Sequence, residues 1–443
     1  PAPAATTAAR AAGTEEIRLN ATIDRHDSAV RGYCRSFTAT IDRAEGAWLT
    51  DIEGRRYLDF LAGAGALNYG HNPEPLKRRL LEYIERGGIS HGLDLYTDAK
   101  ETFLERLHEL VLAPRGMDYR VQFPGPTGTN AVEAALKLAR KVTGREGVVF
   151  FTNGFHGMTL GTLAVTGNAG KRAGAGQALH NATPMPFDGY LGPDVDTLDY
   201  FERVLADGGS GVDRPAAVVL ETVQAEGGIN VASDAWLQRL AALCRRHDIL
   251  LIIDDIQVGC GRTGPFFSFE TAGIAPDLVC LSKSLSGYGQ PLSLVLIRPE
   301  LDQWQPGEHN GTFRGNNLAF VTATAALETW WRDDTLTREV ARKGAWVEQR
   351  LQRIADDVPG LEPAVRGRGF IQGLACGDAP AAAAIAQRCY RQGLIIETCG
   401  IDDQVLKFLA PLTISDADLV WGLDVVAAAA LDVARERHTR RVA

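Results

Sequence analysis

The sequence predicts an α/β protein with a large domain, built on a doubly wound and mostly parallel sheet, and a smaller α+β domain. From about residue 119, apolar runs alternate with amphipathic stretches, which is the pattern of strands and helices that wind a parallel sheet. Two runs, ILLII at 249–253 and LVCL at 278–281, are apolar throughout, as expected for strands buried on both faces. A chain of 443 residues is also too long for one compact core, so we expect two or three domains.

The same pattern divides the chain into four segments. Residues 1–16 are rich in Ala, Pro and Thr and are expected to form a disordered tail. Residues 17–75 are predicted to form an N-terminal segment that joins the small domain. Residues 76–335 then form the large domain, and residues 336–443 the C-terminal small domain.

The N-terminal segment is predicted to be a small β unit followed by a loop. Residues 33–60 contain two alternating runs that are broken by Glu-Gly turns, which indicates a β unit. The Gly- and Asn-rich stretch 61–76 is expected to be a surface loop, because most such stretches only connect elements. The alternative is that its glycines bring backbone close to a ligand or a neighbouring subunit. Helices are predicted at 75–86 and 98–112.

The two domains are then assigned element by element. Apolar runs in the large domain predict strands at 119–123, 148–151, 216–222, 249–254, 278–283 and 292–297. Apolar stripes predict helices at 130–142, at 233–247 with Ser233 as N-cap, and from about Leu318. In the small domain we expect helices at 336–357 and 379–392, strands at 366–376 and 394–399, and a closing helix from Ser415.

Composition excludes several classes of partner. The formal net charge of -9 argues against nucleic acid or an anionic membrane. The seven cysteines are scattered and never form Cys-x-x-Cys, so they predict a reducing compartment and provide no disulfide or metal framework. No apolar run is long enough to span a bilayer, and no signal peptide is recognisable, so we expect a cytoplasmic protein.

Two residues of opposite charge follow neighbouring strands of the predicted sheet. Asp254 ends the run ILLIID, and Lys283 follows LVCL. Ligands bind beyond the carboxyl ends of parallel strands, so an acid and an amine would face one crevice. Pyridoxal phosphate chemistry needs this pair: a lysine that forms a Schiff base, and a carboxylate that keeps the pyridine nitrogen protonated. A magnesium site at Asp254 and Asp255 would need a phosphate loop with its lysine, which the sequence lacks.

Three further groups suit such a site. Gln257 points to the same side as Asp254 and is placed to donate to a phenolate oxygen. The turn PGPTGTN at 124–130 offers the amides of Gly128 and Thr129 at a helix N-terminus, which suits a phosphate, although a helix start without a ligand is commoner. Phe155 follows a strand and would lie flat on a pyridine ring, although core packing is the commoner role of such a residue.

Eight segments in a fixed order identify a family. Over residues 35–435 the chain resembles the class III, fold type I, pyridoxal-phosphate-dependent aminotransferases, the group that contains the ornithine and 4-aminobutyrate aminotransferases. The matching segments are Gly-x-x-Asn-x-Gly-His at 65–71, TGTNAVEAALKLAR, FHGMTLG, ETVQAEGG, IIDDIQVGCGRTG, LSKSLSG, HNGTFRGN and VRGRGFIQG.

The resemblance implies a role for individual residues. Lys283 would hold pyridoxal 5'-phosphate covalently and shuttle the substrate proton, and Asp254 would pair with the pyridine nitrogen. The other cofactor contacts implied are Gly128 and Thr129 at the phosphate, Phe155 on the ring face, His156 beside it, and Gln257 at the ring hydroxyl. Thr312 would reach the phosphate of a neighbouring subunit, which implies a homodimer with shared active sites or a tetramer.

Substrate residues depart from the ornithine-type pattern. Glu226 matches a glutamate that, in many relatives, restrains an arginine until 2-oxoglutarate or glutamate binds. Lys407 stands where those relatives carry the arginine, and lysine lacks its bidentate fork. Met158 stands where some relatives place a second arginine. We expect Glu226 and Lys407 to bind substrate.

The expected reaction is a transamination between L-glutamate and an amino aldehyde. The segments LSKSLSGYGQPLSLVLIRPELDQW, PGEHNGTFRGNN and SHGLDLYTDAK resemble the branch that converts L-aspartate 4-semialdehyde to L-2,4-diaminobutyrate and releases 2-oxoglutarate. The Asp254–Asp255 pair, where most relatives have Asp-Glu, points the same way. The alternatives are an enzyme for another ω-amine, such as 4-aminobutyrate, ornithine or lysine, and a binding protein that keeps the fold without the reaction.

Overall fold

The computed structural model describes residues 20–442, and side chains as far as residue 439. The predicted tail at 1–16 lies outside the described residues. In chain order the strands are β1 Ile41–Glu45, β2 Trp48–Asp51, β3 Arg56–Asp59, β4 Arg120–Gln122, β5 Val148–Phe151, β6 Ala182–Met185, β7 Ala217–Leu220, β8 Val223–Gln224, β9 Asn230–Val231, β10 Leu250–Asp254, β11 Leu278–Leu281, β12 Leu294–Ile297, β13 Ala364–Arg368, β14 Ile371–Ala375, β15 Leu394–Ile395, β16 Glu397–Cys399 and β17 Val405–Phe408.

The α-helices flank these strands. They are Ala21–His26, Tyr33–Ser36, Glu74–Glu85, Asp98–Leu107, Gly128–Thr143, Leu160–Ala164, Ala169–Ala173, Thr197–Ala206, Asp234–Arg246, Asn317–Trp330, Thr335–Asp357, Ala379–Arg391 and Asp416–Val442. The segment Ala62–Gly65 forms a left-handed turn. Ser233 caps its helix as predicted, because its hydroxyl accepts the Trp236 amide at 3.2 Å.

A seven-stranded sheet forms the centre of the large domain. Its order is β4-β12-β11-β10-β7-β5-β6, and only β12 runs against the other strands. All residues of β5, β7, β11 and β12 are buried, which confirms that these apolar runs are strands covered on both faces. β6 was not predicted, because its sequence Ala-Thr-Pro-Met is neither strongly apolar nor alternating.

Two predicted strands of the small domain are each two strands. The run 366–376 folds into the hairpin of β13 and β14, since Gly369 turns the chain at φ +60°. A Cβ on Gly369 would lie 2.5 Å from the backbone of Thr263, so only glycine fits there. The run 394–399 divides because β15 pairs parallel with β3, whereas β16 pairs antiparallel with β17. The last strand, β17, was not predicted.

The stretch 61–76 is not the surface loop that was expected. Ala62 and Asn68 are fully buried, and backbone φ angles of +56° at Ala64 and +82° at Gly65 bend the chain sharply. The Asn68 side chain donates to the Cys260 carbonyl at 2.9 Å, which fixes the stretch against the large sheet. The functional alternative for this segment therefore fits the structure better.

Arg262 joins three parts of the chain in the core. Its fully buried guanidinium donates to the Asn68 side chain at 2.6 Å and to the carbonyls of Ala410 at 2.7 Å and Phe370 at 3.1 Å. Burial lowers the pKa of Arg262 to about 9, so the group remains charged at neutral pH. The stretch 61–76 and the small domain thus both hydrogen-bond to one cation, which lies in the segment after β10.

No helix within residues 20–442 combines the length and apolar character needed to cross a membrane. All seven cysteines lie in this range, and each is a free thiol.

Replacing Arg262 tests this junction. We expect Arg262→Met to reduce the free energy of unfolding by about 3 kcal/mol or more, because three buried acceptors lose a charged donor. Urea denaturation monitored by circular dichroism measures the change. Arg78→Met is the control, since Arg78 makes only an exposed 3.5 Å pair with Glu74 and should change stability by less than about 0.5 kcal/mol. A loss below about 1 kcal/mol for Arg262→Met would contradict the assignment.

Candidate active site

Parallel pairing of β10 with β11 brings the predicted acid and amine together. Asp254 is in register with Cys280, and Lys283 follows β11 by two residues. Both side chains line a cavity of about 430 Å³ at the carboxyl ends of the strands. The cavity is lined by Thr127, Gly128, Thr129, Phe155, His156, Gly157, Met158, Thr159, Glu221, Glu226, Asp254, Ile256, Gln257 and Lys283.

Asp254 is held rigidly at the floor of the cavity. Its Oδ2 atom lies 2.8 Å from Nδ1 of the buried His156 ring, and its Oδ1 atom accepts the Ile256 amide at 3.2 Å. Burial favours the neutral imidazole, but the hydrogen bond and the charge of Asp254 outweigh this effect and raise the pKa of His156. His156 therefore orients the carboxylate, while its own buried Nε2 atom has no hydrogen-bond partner among the described residues.

Asp255 points away from this cavity, because successive residues of a strand face opposite sides. Its carboxyl group is fully buried and accepts the Ser268 amide at 3.1 Å. Burial raises the pKa of Asp255 to about 7. The two acids that the sequence places side by side thus have different environments, and only Asp254 faces the site.

Lys283 enters the cavity from a strained turn. Its backbone has φ +46°, in the left-handed region that residues with a side chain seldom adopt. Its amine donates to the Ala64 carbonyl at 2.9 Å. Loss of water around the amine lowers the pKa of Lys283, although the carboxylate of Glu226 acts in the opposite direction. The amine is therefore held by backbone and is easier to deprotonate than an exposed lysine.

Gln257 is tied to the same carbonyl. Its Nε2 atom donates to Ala64 at 2.8 Å and to Glu226 at 3.2 Å, and its buried Oε1 atom has no donor within the described residues. In this arrangement the amide presents an acceptor to the cavity. Donation to a ring hydroxyl, as predicted, requires rotation of the amide, so that role stays a prediction.

A helix N-terminus forms the opposite end of the cavity. The helix Gly128–Thr143 begins there, and no acceptor within residues 20–442 takes the amide of Gly128 or Thr129. The Thr129 hydroxyl lies 2.8 Å from that of Thr162. A Cβ at position 128 would lie 2.8 Å from the Ile256 Cδ1 atom, so Gly128 packs closely against this side chain.

Phe155 forms a side wall. The ring is half-buried and lines the cavity, so it does not belong to the core as the commoner alternative supposed. Its amide donates to Glu221 at 2.9 Å, and burial raises the pKa of Glu221 to about 7. Glu221 and Ile256 were not singled out from the sequence, although both lie inside quoted motifs, ETVQAEGG and IIDDIQVGCGRTG.

A buried charge cluster borders the cavity at Glu226. Lys407, on β17, is fully buried and places its ammonium 2.6 Å from Glu226 and 2.9 Å from Glu397. Burial alone would lower the pKa of Lys407, but the two carboxylates raise it. Burial alone would raise the pKa of Glu226, yet Lys407 and Lys283 lower it to about 2. Glu397 was missed in the sequence, and burial raises its pKa.

Two residues with implied roles lie further out. Thr312 is exposed and is not among the described residues that line the cavity. Met158 lies at the rim of the cavity with 55% of its surface exposed. The structure thus brings together all the other predicted residues, namely Gly128, Thr129, Phe155, His156, Glu226, Asp254, Gln257, Lys283 and, through Glu226, Lys407.

This fold and site are those of a known family. Residues 31–430 match the family described as Aminotransferase class-III, and the chain belongs to it. The resemblance and fold class predicted from the motifs are confirmed.

Individual relatives point to a narrower group within this family. The chain is 60% identical over 403 residues to the diaminobutyrate–2-oxoglutarate transaminase of Nocardia farcinica, covering 91% of this chain and 92% of the relative. It is 59% identical over 401 residues to the protein of that name from Vibrio cholerae, covering 90% and 97%. Among solved structures, the ornithine aminotransferase of Toxoplasma gondii matches with a TM-score of 0.82 at 27% identity over 95% of each chain, and pyridoxal 5'-phosphate partly occupies its active site.

Pyridoxal 5'-phosphate, the cofactor of this family, fits the residues of the cavity. Free helix amides at Gly128 and Thr129 suit its phosphate, and Asp254 offers a fixed carboxylate for a protonated ring nitrogen. Lys283 offers an amine of lowered pKa. The unpartnered Gln257 Oε1 and His156 Nε2 atoms are buried polar groups that a ligand would satisfy.

Asp255 gives a test of pH dependence. Its native carboxyl keeps a proton to about pH 7, whereas an ordinary aspartate loses it near 3.8. Between these values the folded state binds more protons than the unfolded state, so this group lowers stability as pH rises. We therefore expect the free energy of unfolding of Asp255→Asn, taken relative to that of the wild type, to increase by at least about 1 kcal/mol from pH 5 to pH 8. Urea titrations at both pH values measure this difference. The control is Asp42→Asn, on the exposed face of β1. An equal pH dependence of stability in Asp255→Asn and the wild type would contradict the expectation.

Proposed function

We propose that this aminotransferase moves the amino group of L-glutamate to the aldehyde of L-aspartate 4-semialdehyde, giving L-2,4-diaminobutyrate and 2-oxoglutarate. The observation that carries the chemistry is the pair of Asp254 and Lys283 in one cavity, at the ends of adjacent parallel strands. Identities of about 60% to proteins named for diaminobutyrate support this choice of amine over 4-aminobutyrate, ornithine or lysine.

Lys283 is proposed as the group that moves the proton. When bound, pyridoxal 5'-phosphate links to the substrate nitrogen and delocalises the electron pair left on carbon when a proton departs. The Lys283 amine, whose pKa is lowered by loss of water, accepts that proton and returns it elsewhere on the reacting system. The Ala64 carbonyl, 2.9 Å away, directs the amine within the cavity.

Asp254 and His156 are proposed to act as one unit. The Asp254 carboxylate would keep a proton on the pyridine nitrogen, which is what makes the ring an electron acceptor. The 2.8 Å contact with His156 prevents the carboxylate from turning away, and only 4% of Asp254 is exposed, so water does not compete. Gly128 and Thr129 would hold the phosphate at the other end, and Phe155 would cover one ring face.

Glu226 and Lys407 are proposed to distinguish the two half-reactions. Glutamate carries a carboxylate on its reacting carbon, whereas the reacting carbon of diaminobutyrate carries none. With Glu226 bound to Lys407 at 2.6 Å the cluster has no free cation, which suits diaminobutyrate. Displacement of Glu226 would expose Lys407 to the carboxylate of glutamate or 2-oxoglutarate.

We propose further that the enzyme is a cytoplasmic homodimer, or a tetramer built from two such dimers, in which Thr312 reaches the phosphate of the second subunit. Thr312 lies in an exposed segment beside Phe313, which is 69% exposed, and Tyr96 is fully exposed. Exposed aromatic side chains of this kind are common where a partner covers a surface.

A single-turnover amine panel tests the proposed reaction. Loss of the visible absorbance of the lysine-bound cofactor is followed after mixing with L-glutamate, L-2,4-diaminobutyrate, L-ornithine, 4-aminobutyrate or L-lysine. We expect the first two to react at least about tenfold faster than the others, a difference of about 1.4 kcal/mol in barrier. Lys283→Ala, the control, should show neither the band nor the reaction. Faster reaction with ornithine or 4-aminobutyrate would overturn the assignment of substrate, and no reaction with any amine would overturn the enzyme activity itself.

Asp254→Asn tests the electron-acceptor role. The amide cannot keep a proton on the ring nitrogen, so we expect kcat to fall by about 1000-fold or more while the cofactor stays bound. Steady-state kinetics and cofactor content measure the two effects. A loss below about tenfold would show that Asp254 does not have this role.

A further inference from the structure

Lys171 presents an unpaired ammonium beside the candidate active site. Its Nζ atom lies 4.2 Å from the centroid of the Phe155 ring. In the described part of the chain, no carboxylate oxygen lies within 4.0 Å of it, whereas Lys141 and Lys407 both have such partners. A half-buried lysine without a counter-ion is a candidate for binding an anion from solution.

The short helix Ala169–Ala173 fixes the position of this lysine. The Asn168 side chain accepts the Lys171 amide at 2.9 Å. The neighbouring Arg172 donates to three carbonyls, those of Leu163, Ala164 and Thr166, at 2.9–3.1 Å. The backbone is thus held on both sides of Lys171, and only its side chain is free to move.

A narrow cavity lined by Lys171 shares part of its wall with the cofactor cavity. Phe155 and Glu226 line both, and Lys171 and Asn168 line only the narrow one. The positive charge of Lys171 helps to lower the pKa of the Glu226 carboxyl, although Lys407 and Lys283 lower it more. Because Phe155 lines both cavities and the Lys171 ammonium lies 4.2 Å from its ring centroid, this charge stands beside the wall of the larger cavity.

The two substrates of the proposed reaction share one anionic group. In glutamate the far carboxylate lies three carbon–carbon bonds from the carbon that bears the reacting nitrogen. In diaminobutyrate the single carboxylate lies at the same separation from its own reacting carbon. One cation at a fixed distance from Lys283 therefore serves both half-reactions.

The known cations of the site are already engaged. Lys283 is the reacting amine, and Lys407 is enclosed by Glu226 and Glu397 and would meet the other carboxylate of glutamate. Met158, at the rim, carries no charge. Of the cations that border the two cavities in the described chain, Lys171 remains.

We propose that Lys171 is a substrate-binding residue that takes the distal carboxylate of both glutamate and diaminobutyrate; this rests on the function proposed above. Lysine donates to a carboxylate as a point charge without the bidentate fork of arginine, and its long side chain adapts to two ligands of different shape. Phe155 holds the ammonium near the rim before substrate binds.

Equilibrium binding of glutarate tests the role without any reaction. Glutarate has two carboxylates and no amine, and calorimetry gives its Kd for the cofactor-loaded protein. We expect Lys171→Met to raise the Kd by about 10- to 100-fold, the range typical of a hydrogen bond to a charged group. Lys171→Arg should stay within about threefold, because the charge is retained. Lys77→Met, at an exposed lysine of the helix Glu74–Glu85, is the control and should leave the Kd unchanged.

A second measurement compares amines with and without the carboxylate. 1,3-Diaminopropane is diaminobutyrate without that group. In single turnovers, Lys171→Met should slow the reaction of diaminobutyrate at least about tenfold and that of 1,3-diaminopropane less than about twofold. Loss of binding energy specific to the carboxylate gives this pattern, whereas a general structural defect slows both amines equally.

The outcomes separate this proposal from the one it rests on. An unchanged glutarate Kd in Lys171→Met, or equal slowing of both amines, overturns the role of Lys171. Weaker glutarate binding in Lys171→Met, in an enzyme whose wild type does not react with diaminobutyrate, supports the carboxylate site and overturns the proposed amine substrate.

Discussion

Parallel pairing of β10 with β11 is the constraint on which the site depends. In-register contact of Asp254 with Cys280 fixes the edge where both strands end, and the turn after β11 then has two residues in which to direct Lys283 back over that edge. Lys283 in this short connection has φ +46°, a left-handed conformation. The strain there is maintained by the surrounding structure: Ser282 donates to the Leu292 carbonyl at 2.7 Å, and Ser284 donates to that of Gly65, also at 2.7 Å.

Charge balance explains why Lys407 is buried together with two carboxylates, those of Glu226 and Glu397. A buried lysine is costly without a counter-ion, and a buried carboxylate is equally costly. Lys407 has two carboxylates, so Glu226 can leave it without exposing an uncompensated charge to the protein interior. Glu397 would therefore lower the free-energy cost of the proposed displacement of Glu226.

Much of the fold and the chemical centre could be predicted because both depend on local patterns. Unbroken apolar runs located the strand that ends at Asp254 and the strand that Lys283 follows, and a Gly-Thr turn located the helix N-terminus at Gly128. β17 could not be recognised, because its buried Lys407 interrupts the apolar pattern. Glu397 faces Lys407 only through the register of β16 with β17, a long-range pairing that no spacing in the chain reveals. The contribution of Ala64 comes from its backbone carbonyl, which any residue possesses, so it has no sequence signal.

The Ala64 carbonyl links Lys283, the candidate reacting amine, to the turn that borders the cavity. It accepts from Lys283 at 2.9 Å and from Gln257 at 2.8 Å, and it belongs to the turn Ala62–Gly65, whose left-handed backbone is otherwise unfavourable. That turn continues into Asn68, which is bonded to Arg262 in the core. A covalent bond formed by the Lys283 nitrogen would remove an N–H donor from this junction. The change would act on the segment that connects the N-terminal strands to the core, so binding at Lys283 and the stability of that segment would be thermodynamically linked.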